Sequence, residues 1–457
     1  MHFTRRLREP RRSAAFGLLL LASSVAGAGA TSCSDSDDGA PLPSPDAAAV
    51  DAQRDAEPVD AGPDRAAVPF DGGILPLDCT SDPCVTSLVT TRGAGATDRG
   101  EGFCALLRDG GVICWGAGSA GQLGRGDDAD AVDSAVPARV VGLGKVVSLD
   151  HTCAVDDAGG AHCWGTGPFL RSAESATTTE RAPVKLGLPV VTKVAVGALA
   201  GCALSSGAVL CWGANRHGQV APFEIERSAA ILEPRELELP SGAPARDLVV
   251  GDATFVVHAD GSLTSWGANP PLGRVSSLFP DPYPAAVTIT NVMALDIAEN
   301  NGCVTSEGAG FCWGYDGVAP PEYRDEPPHI QRALPTRVVA SEPLVQIATI
   351  PIRVSSEPGA PTPPPPRWCA VTASGEVVCQ GSNASGQVGD GTRGYARDAV
   401  RVVGLPGPAR EVKTTPESTC ALLTSGKVYC WGGNFYGQLG NRAIKVASLT
   451  PQEVQLP

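Results

Sequence analysis

The stretch CALLRDGGVICWGAGSAGQLG, residues 104–124, decides the fold because its pattern returns along the chain. Two cysteines stand on either side of a Gly-Gly pair, and Trp-Gly follows the second cysteine directly. Five further copies keep a cysteine pair and one copy has neither cysteine; these six begin at Cys153, Cys202, Phe255, Cys303, Cys369 and Cys420. A period near 50 residues with about four short β-rich segments predicts a β-propeller, so we expect an all-β fold with seven blades.

Each copy predicts a β-hairpin, because apolar, β-prone residues lie on both sides of a turn that contains glycine. In CALSSGAVLC, residues 202–211, the midpoint falls on Ser206-Gly207 and leaves a two-residue loop. Copies with one more residue between the cysteines fit a three-residue loop with a bulge. Both arrangements place the two cysteines opposite each other, where Cα atoms lie roughly 4.5–5.5 Å apart, within the range of a disulfide.

The cysteine pairs have three readings: unpaired core residues, zinc ligands or disulfides. In the copy without cysteines, Phe255 and Ser265 replace both members of the pair. Two cysteines that form a cross-link are expected to be lost together, whereas independent core residues need not be. Zinc ligands usually follow a Cys-x(2–4)-Cys spacing, which the copies lack. We therefore predict disulfides, which require an oxidising compartment; the pairs are Cys104–Cys114, Cys153–Cys163, Cys202–Cys211, Cys303–Cys312, Cys369–Cys379 and Cys420–Cys430, with Cys79 and Cys84 closing a small loop of their own.

The N-terminus predicts export. Residues 1–32 begin with a basic segment and continue with a short apolar one, and Cys33 follows. This arrangement resembles a bacterial lipoprotein signal, in which that cysteine becomes the lipidated first residue; cleavage after Ala30 by an ordinary signal peptidase is the alternative. Among the 15 cysteines, Cys33 is the one without a predicted partner, and lipidation accounts for it.

Residues 33–78 differ in composition from the remainder of the chain. Asp, Ala and Pro dominate, and apolar residues show no period. Such a segment predicts a disordered acidic tether that packs on nothing, followed by one folded domain over residues 79–457. The formal net charge of the chain is −14, and an acidic balance disfavours nucleic acid as a partner.

A Gly-Gln motif follows Trp-Gly, wholly or partly, in four copies, for example GQLGRGD from Gly121 and YGQLGN from Tyr436. A hairpin, Trp-Gly and then Gly-Gln-Leu-Gly every fifty residues or so resembles the RCC1 repeat, named after the regulator of chromosome condensation. The resemblance covers roughly residues 85–457. It implies a seven-bladed β-propeller with one four-stranded blade per repeat, while the cysteine pairs resemble those of secreted bacterial relatives. The tryptophans are expected to form core between blades.

A further strand pattern separates the copies, as in VPARVVGL from Val136, and the chain ends on the same pattern at residues 450–457. The first copy has no such strand before it. We therefore expect the C-terminal strand to close the ring by joining the first blade, which removes exposed sheet edges.

No arrangement of residues predicts catalysis, a cofactor or a metal site. The six histidines are scattered, and the Gly-x-Gly-x-x-Gly match at residues 116–121 lies inside a repeat rather than before a helix. The expected function is that of a monomeric, lipid-anchored binding module of the outer membrane or cell surface of a Gram-negative bacterium, or a secreted one. It would bind a protein or glycan of the envelope and contact the membrane through its lipid alone. The alternatives are a guanine-nucleotide exchange factor, the activity of the best-known eukaryotic member, and a secreted enzyme inhibitor.

Overall fold

We describe the fold from a computed structural model. The described residues are 70, 72–92, 100–126, 132–172, 174–223, 231–269, 271–314, 334–350 and 367–457. The chain divides into two units, Met1–Arg65 and Ala66–Pro457, and all described residues lie in the second. The predicted signal peptide, Cys33 and the tether up to residue 69 lie outside the described residues.

The described residues form seven antiparallel sheets of four consecutive strands each. The first three blades contain β1 (Val85–Thr90), β2 (Gly102–Leu107), β3 (Val112–Gly116), β4 (Ser134–Arg139); β5 (Val146–Asp150), β6 (Cys153–Asp156), β7 (Ala161–Gly167), β8 (Thr178–Lys185); β9 (Lys193–Val196), β10 (Ala200–Ser205), β11 (Ala208–Ala214) and β12 (Ile231–Leu237). The fourth and fifth contain β13 (Ala245–Val250), β14 (Ala253–His258), β15 (Leu263–Gly267), β16 (Asp281–Ala286); β17 (Val292–Ala298), β18 (Asn301–Ser306), β19 (Ala309–Gly314) and β20 (Thr336–Arg337). The sixth and seventh contain β21 (Leu344–Thr349), β22 (Trp368–Thr372), β23 (Val377–Gly381), β24 (Ala396–Arg401); β25 (Ala409–Thr414), β26 (Ser418–Leu423), β27 (Val428–Gly432) and β28 (Ser448–Glu453).

The first strand of each blade is the innermost one. These seven inner strands pack side by side around a central channel, in the order β1, β5, β9, β13, β17, β21, β25, and β25 packs on β1 again. The predicted seven-bladed, all-β propeller is confirmed. No helix long and apolar enough to cross a membrane occurs among the described residues.

The predicted closure through the C-terminal strand is wrong. β28 pairs with β27 in the seventh blade, and the first blade is completed by β1, which precedes its hairpin. The sequence pattern between copies is the outermost strand of the preceding blade. The inner strand was missed because a bulge shifts its register, between Val85 and Ser87 in β1, and interrupts the alternation of apolar and polar residues.

The hairpins have the predicted register. Cys104 lies opposite Cys114, and Phe255 lies opposite Ser265 in the fourth blade. Between β10 and β11 the loop is the pair Ser206-Gly207, with φ of 50° and 89°. Positive φ at both central residues defines the type I′ turn that two-residue hairpins favour.

Tryptophan links each of six blades to the blade before it. The six indole rings are buried between blades, as predicted, and each Nε1–H donates to a backbone carbonyl of the preceding blade. The donor–acceptor pairs are Trp164–Gln122 (3.0 Å), Trp212–Pro168 (2.6 Å), Trp266–Gln219 (2.9 Å), Trp313–Pro271 (2.7 Å), Trp431–Gln387 (3.0 Å) and Trp115–Gln438 (2.9 Å). The sixth blade has Gln380 at the tryptophan position, and its side chain donates to Arg397 O within its own blade. The Gly-Gln motif therefore supplies the acceptor for the next blade's tryptophan in four of these pairs.

Candidate functional site

The two faces of the propeller differ in their connections. The inner strand of every blade ends at the same face of the propeller. The first-to-second and third-to-fourth strand connections emerge at that face, and we call it the loop face. We call the opposite face the turn face. The turn face carries the short second-to-third hairpin turns, such as Ser206-Gly207. Connections on the loop face vary from two residues, as between β5 and β6, to 21 between β19 and β20. Variable loops on a uniform scaffold are the usual place of binding function.

The N-terminal segment crosses the turn face. Phe70 lies against Gly308, Leu75 against Gly375 and Cys84 against Gly426, and these glycines belong to the hairpin turns of blades five, six and seven in order. Arg410 donates to the Leu75 carbonyl at 2.7 Å, and Asp78 N donates to Thr424 O at 2.8 Å.

This path corrects one prediction. Residues 70–78 fall within the composition-based tether, yet they contact three blades, so at its C-terminal end the tether does pack on the propeller. The signal missed in the sequence is the apolar run Ile74-Leu75-Pro76-Leu77, which follows the last Asp-Gly-Gly of the acidic segment.

The cysteine pairs have geometry compatible with disulfides. The Sγ atoms of the six hairpin pairs lie 1.96–2.14 Å apart, with Cα–Cα distances of 4.0–4.1 Å. Cys79 and Cys84 pair with an Sγ–Sγ distance of 2.00 Å on the turn face, beside the hairpin turn of the seventh blade. In the fourth blade Phe255 and Ser265 replace the pair. Phe255 packs 5.7 Å from the Trp313 ring, and Ser265 Oγ donates to Leu272 O at 2.7 Å.

The central channel is polar and encloses a cavity of about 250 Å³. Charged residues from the inner strands of five blades line it: Asp150, Lys193, Asp247, Asp296, Glu411 and Lys413. Lys193 Nζ lies 2.8 Å from Asp247 Oδ1. Burial acts to lower the pKa of Lys193, but the neighbouring carboxylates of Asp247, Asp150 and Glu411 outweigh it and raise that pKa.

Most channel groups hold blades together. Asp296 Oδ2 accepts from Thr349 N at 2.7 Å, and Glu411 Oε2 accepts from Leu88 N at 2.9 Å, each on the next inner strand. Gln346 makes the corresponding bond to Val412 N at 3.0 Å. Because inner strands are sheet edges with unpaired N–H groups, these side chains satisfy backbone donors that would otherwise lack a partner. Sequence patterns do not indicate these residues, since single polar residues in short strands show no period.

A buried charge network lies on the loop-face side where blades six, seven and one meet. Glu101 accepts from Thr415 Oγ1 at 2.7 Å and from Gln438 Nε2 at 3.2 Å. Burial raises the pKa of Glu101 despite these hydrogen bonds. Arg367 is fully buried, and its Nη2 donates to the carbonyls of Thr415 and Ser418. Burial lowers the pKa of Arg367 to about 10.

Among the described residues no group of three or more His, Cys, Asp or Glu side chains is placed to hold a metal ion. In the channel, the Asp296 and Glu411 carboxylates accept from backbone N–H groups, and Asp247 pairs with Lys193. Thr90 Oγ1 lies 3.1 Å from His151 Nδ1, and His151 Nε2 lies 3.9 Å from Asp150 Oδ1. The geometry provides a rigid ring with a varied loop face.

Comparison with known proteins agrees with this architecture. A family model described as the regulator of chromosome condensation (RCC1) repeat matches residues 109–155, and a second model with that description matches residues 417–438. The ultraviolet-B receptor UVR8 of Arabidopsis thaliana is 27% identical over 368 residues, which are 75% of this chain and 77% of that protein. The human E3 ubiquitin-protein ligase HERC2 is 24% identical over 71% of this chain, which spans 7% of HERC2.

Solved structures show the same fold. Yeast RCC1 (Prp20), in a crystal structure bound to Kap60, superimposes with a TM-score of 0.59 at 20% identity over 75% of this chain and 83% of its own. Human WBSCR16 superimposes with a TM-score of 0.57 at 17% identity, over 76% and 94% of the two chains. The chain therefore has the seven-bladed fold of RCC1-like propellers, and two of its segments match the RCC1 repeat.

Proposed function

We propose that this chain is an exported, lipid-anchored binding module that holds a partner protein of the cell envelope on its loop face and performs no catalysis. Cys33 would carry the lipid, and residues 34–69 would span the distance from the outer membrane to the propeller. The proposal unites the predicted export signal, the cysteine pairs, which need an oxidising compartment, and a fold that serves as a binding module in relatives.

The observation that carries the proposal is the path of residues 70–84 across the turn face. Contacts with three successive hairpin turns lie on that face. The proposed anchor would join the propeller from this side, and the loop face would then be left to meet a partner.

A protein is the partner class best supported by the relatives. A solved structure of Prp20p is described together with its binding to Gsp1p and histones, and another shows RCC1 bound to Kap60. Exchange on a GTPase is disfavoured here, because the predicted export removes the chain from cytosolic GTP.

Site-specific photo-crosslinking in growing cells tests the proposal. A photoreactive residue at Glu174 or Arg393, both exposed on the loop face, should give a protein adduct. The matched position is Val190, which is 68% exposed on the turn face and should give none. Adducts from Val190 alone would contradict the assignment of the face.

The anchor is tested separately. Replacing Cys33 with Ala should move the chain from the membrane fraction to the soluble exported fraction, and mass spectrometry of the unchanged chain should find an acylated N-terminal cysteine. A soluble mature chain that begins at Thr31 would refute lipidation while leaving the loop-face assignment open to the crosslinking result.

A further inference from the structure

The connection between β27 and β28, residues 433–447, forms a rigid projection on the loop face; we call it the blade 7 loop. Asn434 organises it: its Nδ2 donates to the carbonyls of Ala443 (2.9 Å) and Val446 (3.2 Å), and its Oδ1 accepts from Leu439 N (3.0 Å). Lys445 N donates to Asn434 O at 2.6 Å. These bonds fix the two arms of the loop against each other, so its surface side chains are held in place before any partner arrives.

That surface is apolar and cationic. Phe435, Ile444 and Val446 are 60%, 52% and 63% exposed. Lys445 Nζ lies 5.5 Å from the centroid of the Phe435 ring, and Arg442, three residues before Lys445, is also exposed. Residues 433–447 contain two basic residues and no acidic one. Aromatic residues and arginine are enriched at protein interfaces.

The sixth blade provides an internal comparison. Its corresponding loop has the same scaffold, because Asn383 Nδ2 donates to Thr392 O and Asn383 Oδ1 accepts from Val388 N. In that loop Ala384 stands where the seventh blade has Phe435, and Arg393 stands where it has Ile444. The scaffold therefore does not require Phe435 or Ile444 on its surface.

Arg442 is a further difference between the blade 7 loop and the corresponding loop of the sixth blade. Its backbone N donates to Ala135 O of the first blade at 3.0 Å, as Gly391 N donates to Leu449 O of the seventh blade at 3.2 Å. Both residues have positive φ, 64° for Arg442 and 84° for Gly391. A residue with a side chain is disfavoured in this conformation, and the sixth blade uses glycine for it. The seventh blade thus retains a cationic side chain where the backbone favours none.

We propose that the blade 7 loop is a contact site for an acidic segment of a partner protein that carries apolar anchor residues. This inference rests on the proposed function and deepens it. Carboxylates of the partner would meet Arg442 and Lys445, and an apolar side chain would pack on Phe435, Ile444 and Val446. A lipid surface suits similar residue types, but the N-terminal segment lies on the turn face, so the proposed anchor would hold this loop away from the bilayer.

A display selection tests the inference. A random-peptide library is selected on the full-length chain, produced with its cysteines oxidised, and in parallel on the F435A and K445E variants. On the unchanged chain we expect enrichment of peptides in which Asp or Glu flank Leu, Ile or Phe. F435A should weaken a representative selected peptide at least tenfold, as a hot-spot truncation does. K445E should shift the enrichment from acidic to basic peptides.

Matched variants separate a role in binding from a role in folding. R442G should leave the melting temperature unchanged or higher and still weaken the peptide, since glycine suits the backbone but removes the cation. A384F in the sixth blade should have no effect on peptide affinity. Selected peptides that are insensitive to both F435A and K445E would overturn the inference, as would Phe435-dependent binding to anionic vesicles without any peptide binding.

The outcomes also distinguish this inference from the proposed function. Loop-face crosslinks at Glu174 or Arg393 could form and stay unchanged in the F435A and K445E variants. If the peptide selection is unchanged in these variants as well, the module binds through other loops and this inference is wrong. If no position gives a protein adduct and no peptide is enriched, the binding function itself is wrong.

Discussion

Trp115 in the first blade donates its indole N–H to the backbone carbonyl of Gln438 in the seventh blade, at 2.9 Å. The two residues are 323 positions apart in the chain, and their bond is the same one that joins other neighbouring blades. Leu439 and Val454 pack with Trp115 and Phe103 in one core cluster around it. The ring is therefore closed by the packing of the seventh blade on the first and by the Trp115–Gln438 hydrogen bond between them. The two blades share no strand.

Replacing Trp115 with Phe should destabilise the closure. The change leaves the buried Gln438 carbonyl without this donor, which costs about 1–3 kcal/mol. The Trp212→Phe variant is the matched control, because it removes the same kind of bond between blades two and three, which are also joined by the chain. Thermal melts should show a lower melting temperature for both variants. Hydrogen exchange should show lost protection in the first and seventh blades for the Trp115 variant alone; equal exchange in the two variants would argue against a special role in closure.

The sequence predicts the parts of the fold in which the same residue types recur from copy to copy at a regular spacing. Cysteine and glycine positions were enough to predict the hairpins, their turns and their register, as the pairing of Cys202 with Cys211 shows. Prediction from the sequence fails for β1 and its equivalents, because a bulge breaks their alternation of apolar and polar residues. The channel residues and the Asn434 scaffold were missed for a related reason: each acts through contacts that only the closed ring and the folded loop create.

The six hairpin cysteine pairs should be recovered as disulfides within their own copies. Each pair is cross-strand, and closing a loop of about ten residues contributes up to ~2.7 kcal/mol in the chain-entropy model, less where the hairpin is already formed. Non-reducing peptide mapping measures this directly. The fourth blade provides an internal control, because its Phe255 and Ser265 cannot cross-link. Free thiols, or links between copies, would contradict the prediction.

Reduction should lower the melting temperature without abolishing the fold. The cysteines of the hairpin pairs are mostly buried between apolar neighbours and pack even without a bond, as Phe255 does in the fourth blade. The C202S/C211S double variant should melt below the unchanged chain under oxidising conditions. After reduction the difference in melting temperature between the two proteins should shrink, since the unchanged chain then also lacks the Cys202–Cys211 bond. A melting-temperature difference of the same size under oxidising and reducing conditions would assign the effect to packing rather than to the disulfide.

Stability should depend on pH through Glu101. Burial raises the folded-state pKa of Glu101 above its ordinary value of 4.5, so the folded protein binds a proton at this site more readily than the unfolded chain. The stabilising contribution is fully present below the unfolded pKa and is lost as pH rises through the higher folded value. The melting temperature of the unchanged chain relative to E101Q should therefore fall as pH rises from about 4 toward neutrality. A parallel pH dependence of the two proteins would refute this role. E236Q, at an exposed carboxyl on β12, is the control.

Deleting residues 448–457 should damage the seventh blade more than the first. The deletion removes β28, which pairs with β27 at Tyr429, Cys430 and Gly432, and it removes Val454 from the core between blades seven and one. It exposes β27 as a new edge, and unpaired edges promote aggregation. We expect a clear fall in melting temperature and concentration-dependent aggregation, and a smaller effect from deleting residues 34–69, which lie before the first described contact with the blades at Phe70. Hydrogen exchange locates the damage: amides of β27 should lose protection, while those of β3 and β4 in the first blade should keep most of theirs. Loss of protection centred on β3 or β4 would show that the C-terminal strand completes the first blade after all.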